Sequence, residues 1–429
     1  MDKLLPYILL IAALLLIIAC AKYKSNKPGA ANTTAADILG NPAYPAISYG
    51  GYRQKSREVQ PTIAELKEDM KILSAMGFKL LRTYNVYLAE ASNLLKAITE
   101  LKQEDPKFEM YLMLGAWIDC KNAWTELPPN HNEESEKNAA EIDRAVALAK
   151  QYPDIVKIIA VGNEAMVKWA AHYYVQPDVI LKWVNHLQSL KATGELPKEL
   201  WITSSDNFAS WGGGDAEYHV EALNQLIKAV DFISMHTYPM HDTHYNYHFW
   251  VLPENEDSLT NLQKTEAAML RARDYAVGQY ESVVAYMKSL NVDKPVHIGE
   301  TGWATQSNER YGKKGSRATD EYKSGRYYQL MQEWTKKAGL TCFYFEAFDE
   351  QWKDAKNPGG SENHFGLINL QSQAKYPIWD LVNNGTLKGL TRDGKPITKT
   401  YNGNLDSLLS EVNAPPTAAE MEKLHHHHH

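Results

Sequence analysis

Cysteine is scarce in this chain of 429 residues, which holds three, Cys20, Cys120 and Cys342. The last two stand far apart, with no spacing that fits a zinc cluster or a disulfide framework, so both are expected as buried free thiols. Basic charge is not concentrated either. Lysine and arginine total 45 against 52 aspartates and glutamates, and no run of them forms the basic stripe of a nucleic-acid binder. The formal net charge of −7 fits an uncharged ligand better than a polyanion. No glycine-rich phosphate loop follows the first strand candidate, which argues against a doubly wound nucleotide fold. No metal and no cofactor is expected. Aromatic rings, by contrast, are plentiful, with 25 tyrosines and 11 tryptophans. Trp117, Trp124, Trp169, Trp211, Trp303 and Trp352 fall near strand ends, where a flat ring can stack on a ligand, although core packing is the commoner fate of any one of them.

Long apolar runs are missing except at residues 4–19. That run is shorter than the ~20 residues of a comfortable membrane span, and it ends in Ile18-Ala19-Cys20. A small residue followed by cysteine resembles a bacterial lipobox. Cleavage before Cys20 would leave that cysteine as a lipid anchor, with an uncleaved anchor helix as the alternative because Asp2 offsets Lys3. Either route places the rest of the chain outside the cytoplasm, tied to a membrane. Residues 21–44 are polar, lack periodicity and are expected as a flexible tether. Residues 425–429 read as a histidine tag, preceded by a C-terminal extension over 386–424.

From residue 45 to 385 strand and helix patterns alternate in a single catalytic domain. Strand candidates are 46–51, 79–85, 110–117, 156–164, 200–206, 232–239, 295–303 and 341–349, eight in all. Helices are expected at 62–76, 139–151, 179–191, 266–290 and 324–337. The first is the clearest: Thr62 and Glu65 form a capping box, Ile63, Leu66, Met70 and Leu73 make an apolar stripe, and Gly77 ends it. This alternation predicts an α/β fold, a (β/α)8 TIM barrel.

Two glutamates end apolar strand runs, Glu164 in Val-Gly-Asn-Glu and Glu300 in Ile-Gly-Glu-Thr-Gly-Trp. The C-terminal ends of barrel strands are where chemistry is done. A lone glutamate there more often caps a helix or pairs with a lysine. A facing pair in an aromatic cleft is what breaking a glycosidic bond requires, one as acid and one as nucleophile or base. Placing the strand ends around one rim gathers Tyr49, Arg82, Tyr84, Trp117, Asn163, Asp206, Asn207, His236, Tyr238, Trp303, Glu346 and Asp349 beside them. Within this ring Tyr238 is expected to hydrogen-bond Glu300, and Trp303 to stack the sugar nearest the bond being cut.

The motifs, in order, are Tyr49-Gly50, Arg82-Thr83-Tyr84, Val161-Gly162-Asn163-Glu164, Gly299-Glu300-Thr301-Gly302-Trp303 and the run from Phe345 to Lys353. With Glu362-Asn363-His364-Phe365-Gly366-Leu367, they resemble glycoside hydrolase family 17, in clan A, whose members include endo-β-1,3-glucanases and β-1,3-glucan transglycosylases. The resemblance implies a retaining mechanism, with Glu164 as acid/base and Glu300 as nucleophile. It also implies that Glu350 and Lys353 support the site. Ala304 departs from the proline found after Gly-Trp in plant members. The expected protein is a monomeric, lipid-anchored enzyme cutting β-1,3-glucan internally. Its rivals are a transglycosylase and a noncatalytic glucan-binding lipoprotein.

Overall fold

The structure, a computed structural model, describes residues 33–426. Cys20, the signal segment and the end of the histidine run therefore lie outside the described residues. Eight parallel strands close into a barrel: β1 Ala46–Ser48, β2 Leu80–Arg82, β3 Tyr111–Ala116, β4 Val156–Asn163, β5 Trp201–Asn207, β6 Ile233–His236, β7 Val296–Thr301 and β8 Cys342–Tyr344. Neighbours in sequence are neighbours in the sheet, and β8 closes on β1 through Ala46 with Phe343 and Ile47 with Tyr344. The hydrogen-bonded ladders are shorter than the apolar runs suggest, because the chain leaves the sheet at the strand C-termini to build loops.

Side chains alternate across this sheet as the two-residue period of a strand demands. On β3, Tyr111 and Met113 join one core cluster while Leu112 and Leu114 join the other; on β4, Ile158 and Ala160 divide from Ile159 and Val161 in the same way. The first set fills the barrel and the second packs under the helices. All five expected helices form, at Ile63–Ala75, Asn138–Gln151, Pro177–Ala192, Asn261–Ser289 and Glu321–Ala338. The Thr62 capping box is present with both of its hydrogen bonds, and Gly77 follows at φ 96°. Among the helices that the sequence pattern does not announce are Ala89–Glu104 and Glu221–Ala229. Neither has a side-chain cap to announce it.

One expectation fails in its described part. Residues 33–44 are not a loose tether: Thr34 caps a short helix, Ala35–Ile38, by a capping box. Ala35, Ile38 and Leu39 then pack in one cluster with Leu80, Tyr111, Ile158 and Phe343, closing the barrel floor. The apolar pair Ile38-Leu39 is too short to show periodicity, so only the barrel reveals its use. The C-terminal extension also packs on the barrel. Its Arg392 is 1% exposed and donates to Asp69 on helix Ile63–Ala75 at 2.8 Å, and Leu408 and Val412 cluster with Tyr322 and Trp379. Cys120 and Cys342 are buried and free. No helix among the described residues is long and apolar enough to cross a membrane.

Candidate active site

Both glutamates are aimed by a glycine that interrupts the strand alternation. Before Glu164, Gly162 takes φ 79° and the register of β4 against β5 shifts between Ala160 and Asn163. Asn163 thereby reaches Arg82, which donates to its Oδ1 at 2.5 Å. Glu164 itself sits at φ 46°, a left-handed conformation that costs a non-glycine residue about 1–3 kcal/mol. It is held there by its N–H on the Ser205 carbonyl at 2.9 Å. Before Glu300, a Cβ on Gly299 would meet Ser234 Oγ at 2.0 Å and Ser205 Oγ at 2.3 Å. Only glycine fits, and the register of β6 against β7 shifts at the same place, pairing His236 with Glu300.

One carboxyl oxygen each of Glu164 and Glu300 and one ring nitrogen of His236 lie within 4.8 Å of one another, and all three residues are buried. Glu300 accepts hydrogen bonds from Arg82 Nη1 at 3.0 Å, from the Tyr84 hydroxyl at 2.9 Å and from the Tyr238 hydroxyl. Burial pushes its carboxyl up, but His236, the Arg82 guanidinium and the two hydroxyls outweigh burial and hold it below the usual carboxylate range. Glu164 goes the other way. Burial first, and the charge of Glu300 second, raise it well above that range. One carboxyl is thus poised to keep its proton and the other to lose it, the division of labour of an acid and a nucleophile.

His236 connects the two. Burial lowers its pKa to about 4, so the ring is neutral at ordinary pH. Arg82 can only donate, and its Nη1 lies 3.1 Å from His236 Nε2, so that nitrogen accepts and the proton sits on Nδ1. Nδ1–H then donates to Glu164 Oε1 at 3.0 Å, which leaves Oε2 to carry the acidic proton. Three ligand-type residues within 4.8 Å also resemble a metal site. Arg82, however, already sets a fixed positive charge against both Glu300 and His236, where it competes with any cation.

Around this centre the expected residues divide. Tyr84, Tyr238, Arg82 and Asn163 contact the pair or each other as described. Trp117 is half-buried, its ring 4.9 Å from that of Tyr173, and its Nε1 donates to Asp119 at 2.7 Å. Glu346 and Glu350 are buried and share the half-buried Lys353, whose Nζ lies 3.0 Å from Glu346 and 3.5 Å from Glu350. Burial and Glu350 raise Glu346 well above its usual range. For Glu350 burial acts upward, but Lys353 and the bonds from Glu346 and Trp352 outweigh it and hold the group low. Asn207 is half-buried and accepts from Ala209 N–H at 2.9 Å, a bond that orders the loop after β5.

Four expected residues belong to the scaffold. Trp303 is fully buried, packs on Trp250 and Tyr327, and spends its indole N–H on the Ala318 carbonyl at 2.8 Å, so it stacks no sugar. Tyr49 points outward from the barrel, its hydroxyl on Asp69 at 2.6 Å. Asp206 is buried and accepts from Met166 N–H and the Ser210 hydroxyl, so it shapes the loop that carries Glu164. Asp349 is locked by Gly366 N–H and Lys375 Nζ, each at 2.8 Å. His236 has more than its expected place on the rim, and Ser205 and Ser234, which are not among the expected residues, join it; the inward parity of β5 and β6 is the signal that marks them. At Ala304, the N–H lies 3.1 Å from Met240 Sδ, a contact that proline would lack.

A barrel with two facing buried glutamates, one held above and one below the usual carboxylate range, on β7 and at the end of β4, defines a glycoside hydrolase, and their close approach suits a retaining pair. Residues 46–366 match the BtgE/BtgC glycoside hydrolase domain, and the chain belongs to that family. The crystal structure of an endo-laminarinase from Formosa Hel1_33_131 is 67% identical, covers 90% of this chain and 98% of its own, and superposes with a TM-score of 0.89. A family 17 β-1,3-glucanosyltransferase from Rhizomucor miehei shares the fold at 20% identity and a TM-score of 0.52, covering 76% of this chain and 94% of its own. The glucan 1,3-beta-glucosidase of Arthroderma benhamiae is 26% identical over 324 residues, 73% of this chain and 83% of that protein.

Proposed function

We propose that the enzyme is an endo-β-1,3-glucanase that hydrolyses laminarin-like glucan with retention of configuration. The observation that carries this reading is a pair of buried carboxyls that approach each other through one oxygen each within 4.8 Å, with pKa shifts in opposite directions, together with the likeness to the Formosa endo-laminarinase. Glu164 gives its proton to the leaving oxygen while Glu300 attacks the anomeric carbon; Glu164, now ionised, takes a proton from the water that frees the sugar from Glu300. Arg82, Tyr84 and Tyr238 hold Glu300 in its attacking orientation. His236 holds Glu164 and is itself fixed by Arg82 and Ser205. The oligosaccharide profile from laminarin, set beside cellulose and mixed-linkage glucan, tests the linkage. A ladder of short oligosaccharides from laminarin alone is expected, whereas equal release from cellulose removes the linkage assignment. Products longer than the starting oligosaccharide would instead mark a transglycosylase.

We further propose that Cys20 carries a lipid that holds a monomeric enzyme at an extracytoplasmic membrane face, supported by the apolar run that ends in Ala19-Cys20. Cys20→Ser should leave the membrane fraction or remain unprocessed. Normal cleavage with unchanged membrane retention would refute the anchor.

A further inference from the structure

The loops after β3 and β4 carry rings that the core does not use. A short antiparallel ribbon, Cys120–Lys121 with Asn130–Glu134, grows from the end of β3 and holds Trp124 in its turn. Trp124 is 61% exposed, whereas Trp211 and Trp303 are fully buried. An indole with that much surface in water is ordinarily free to swing. This one is fixed in three ways. Its backbone sits at φ 61°, in the left-handed region, at a cost of roughly 1–3 kcal/mol that persists only where the surroundings impose it. Its Nε1 donates to Asp119 Oδ1 at 3.3 Å, the same oxygen that takes the Trp117 N–H. Its ring lies nearly parallel to those of Tyr173 and His172, with centroids 5.5 and 5.4 Å away at interplanar angles of 24° and 26°. Tyr173 in turn donates its hydroxyl to the carbonyl of Asn163, the residue before Glu164, at 3.3 Å. A line of fixed rings therefore runs from the peptide beside the acid out to solvent.

We infer that Trp124, backed by Tyr173, is the stacking platform for a glucosyl unit on the leaving-group side of the bond being cut. The inference rests on the glucanase reading and deepens it. A pyranose presents a face of C–H groups that packs on an indole, and a ring already immobilised loses little entropy when it does so. The side is set by geometry. The groups that hold Glu300 are Arg82 on β2, Tyr84 just after β2 and Tyr238 just after β6, and none belongs to this shelf. The shelf adjoins Glu164, whose proton goes to the leaving oxygen, so the sugar lying there is the one attached through that oxygen. An acceptor sugar in the reverse direction would rest on the same ring.

The test compares the wild-type enzyme, Trp124→Ala and Trp124→Phe on laminarihexaose and on a nitrophenyl β-laminaribioside, whose leaving group carries no sugar. In Trp124→Ala the ratio of kcat/KM for the hexaose to that for the aryl substrate should fall about tenfold, mainly through KM, with Trp124→Phe recovering most of it. A structural defect would lower both substrates alike and leave the ratio unchanged; that result, with wild type active, overturns the platform and spares the glucanase reading. Wild type that releases nothing from laminarin overturns both. Because the side chain stands largely in water, its melting temperature should move little, which keeps the comparison free of unfolding.

Discussion

Glu300→Ala is expected to lose laminarin hydrolysis by on the order of 10^4-fold or more in kcat, because the residue makes and then breaks the covalent bond to the sugar. The same variant should accept an α-glucosyl fluoride donor and extend a glucan acceptor. Removing the carboxylate opens room for the fluoride on the face where Glu300 attacked, and Glu164 remains to take the proton of the incoming hydroxyl. Arg82, Tyr84 and Tyr238 lose their shared acceptor, so some cost in stability accompanies the loss of activity. Glu164 should respond as well. With the neighbouring charge gone, one of the three influences that raise its pKa disappears, and burial and the charge of Glu362 remain. Failure of the fluoride to react, in a variant that is folded, would take the nucleophile's role from Glu300.

Glu164→Ala should lose roughly 10^2- to 10^4-fold on glucans, the usual worth of a general acid. It should retain activity on aryl glucosides with good leaving groups, which need little protonation, and azide should rescue it with a β-glucosyl azide as product. The pH profile changes with it. Wild-type activity needs Glu164 protonated and Glu300 ionised. It therefore falls at low pH as Glu300, held below its usual range, gains a proton, and at high pH as Glu164, held above its range, loses one. Glu164→Ala should lose the alkaline limb and keep the acidic one. An alkaline limb that survives unchanged in this variant belongs to another group and removes Glu164 from the acid's role.

The barrel and the catalytic pair were legible in the sequence for the same reason, since both lie in strand ends where apolar periodicity stops at a glycine and a polar run begins. Gly162 and Gly299 mark the places where the strand alternation breaks and the next polar side chain turns toward the axis. The residues expected at the site but found in the scaffold lie near a strand end without that parity. Tyr49 follows inward Ser48 on β1, so it faces outward to Asp69, where its hydroxyl finds a partner under the helices. Trp303 lies beyond Glu300 on a segment that turns into the helical layer, which no one-dimensional pattern reveals. Asp206 and Asp349 are buried carboxylates paired with loop N–H groups, serving the positions of other residues. The two apolar residues at 38 and 39 show the converse, a core contribution hidden in a polar stretch. Among the six tryptophans near strand ends, exposure sorts them where sequence could not: Trp124 and Trp169 stand in solvent while Trp211 and Trp303 are core.

The central claim is a covalent route through Glu300, with Glu164 acting first as acid and then as base. Proton NMR of the first product released from laminari-oligosaccharides by the unmutated enzyme, recorded before mutarotation, tests it most directly. Two inversions at the anomeric carbon require the new reducing end to appear as the β-anomer and relax to the α-form afterwards. An α-configured initial product would mean a single displacement by water, the route of enzymes whose carboxyls stand roughly 6.5–9.5 Å apart, and would contradict the account.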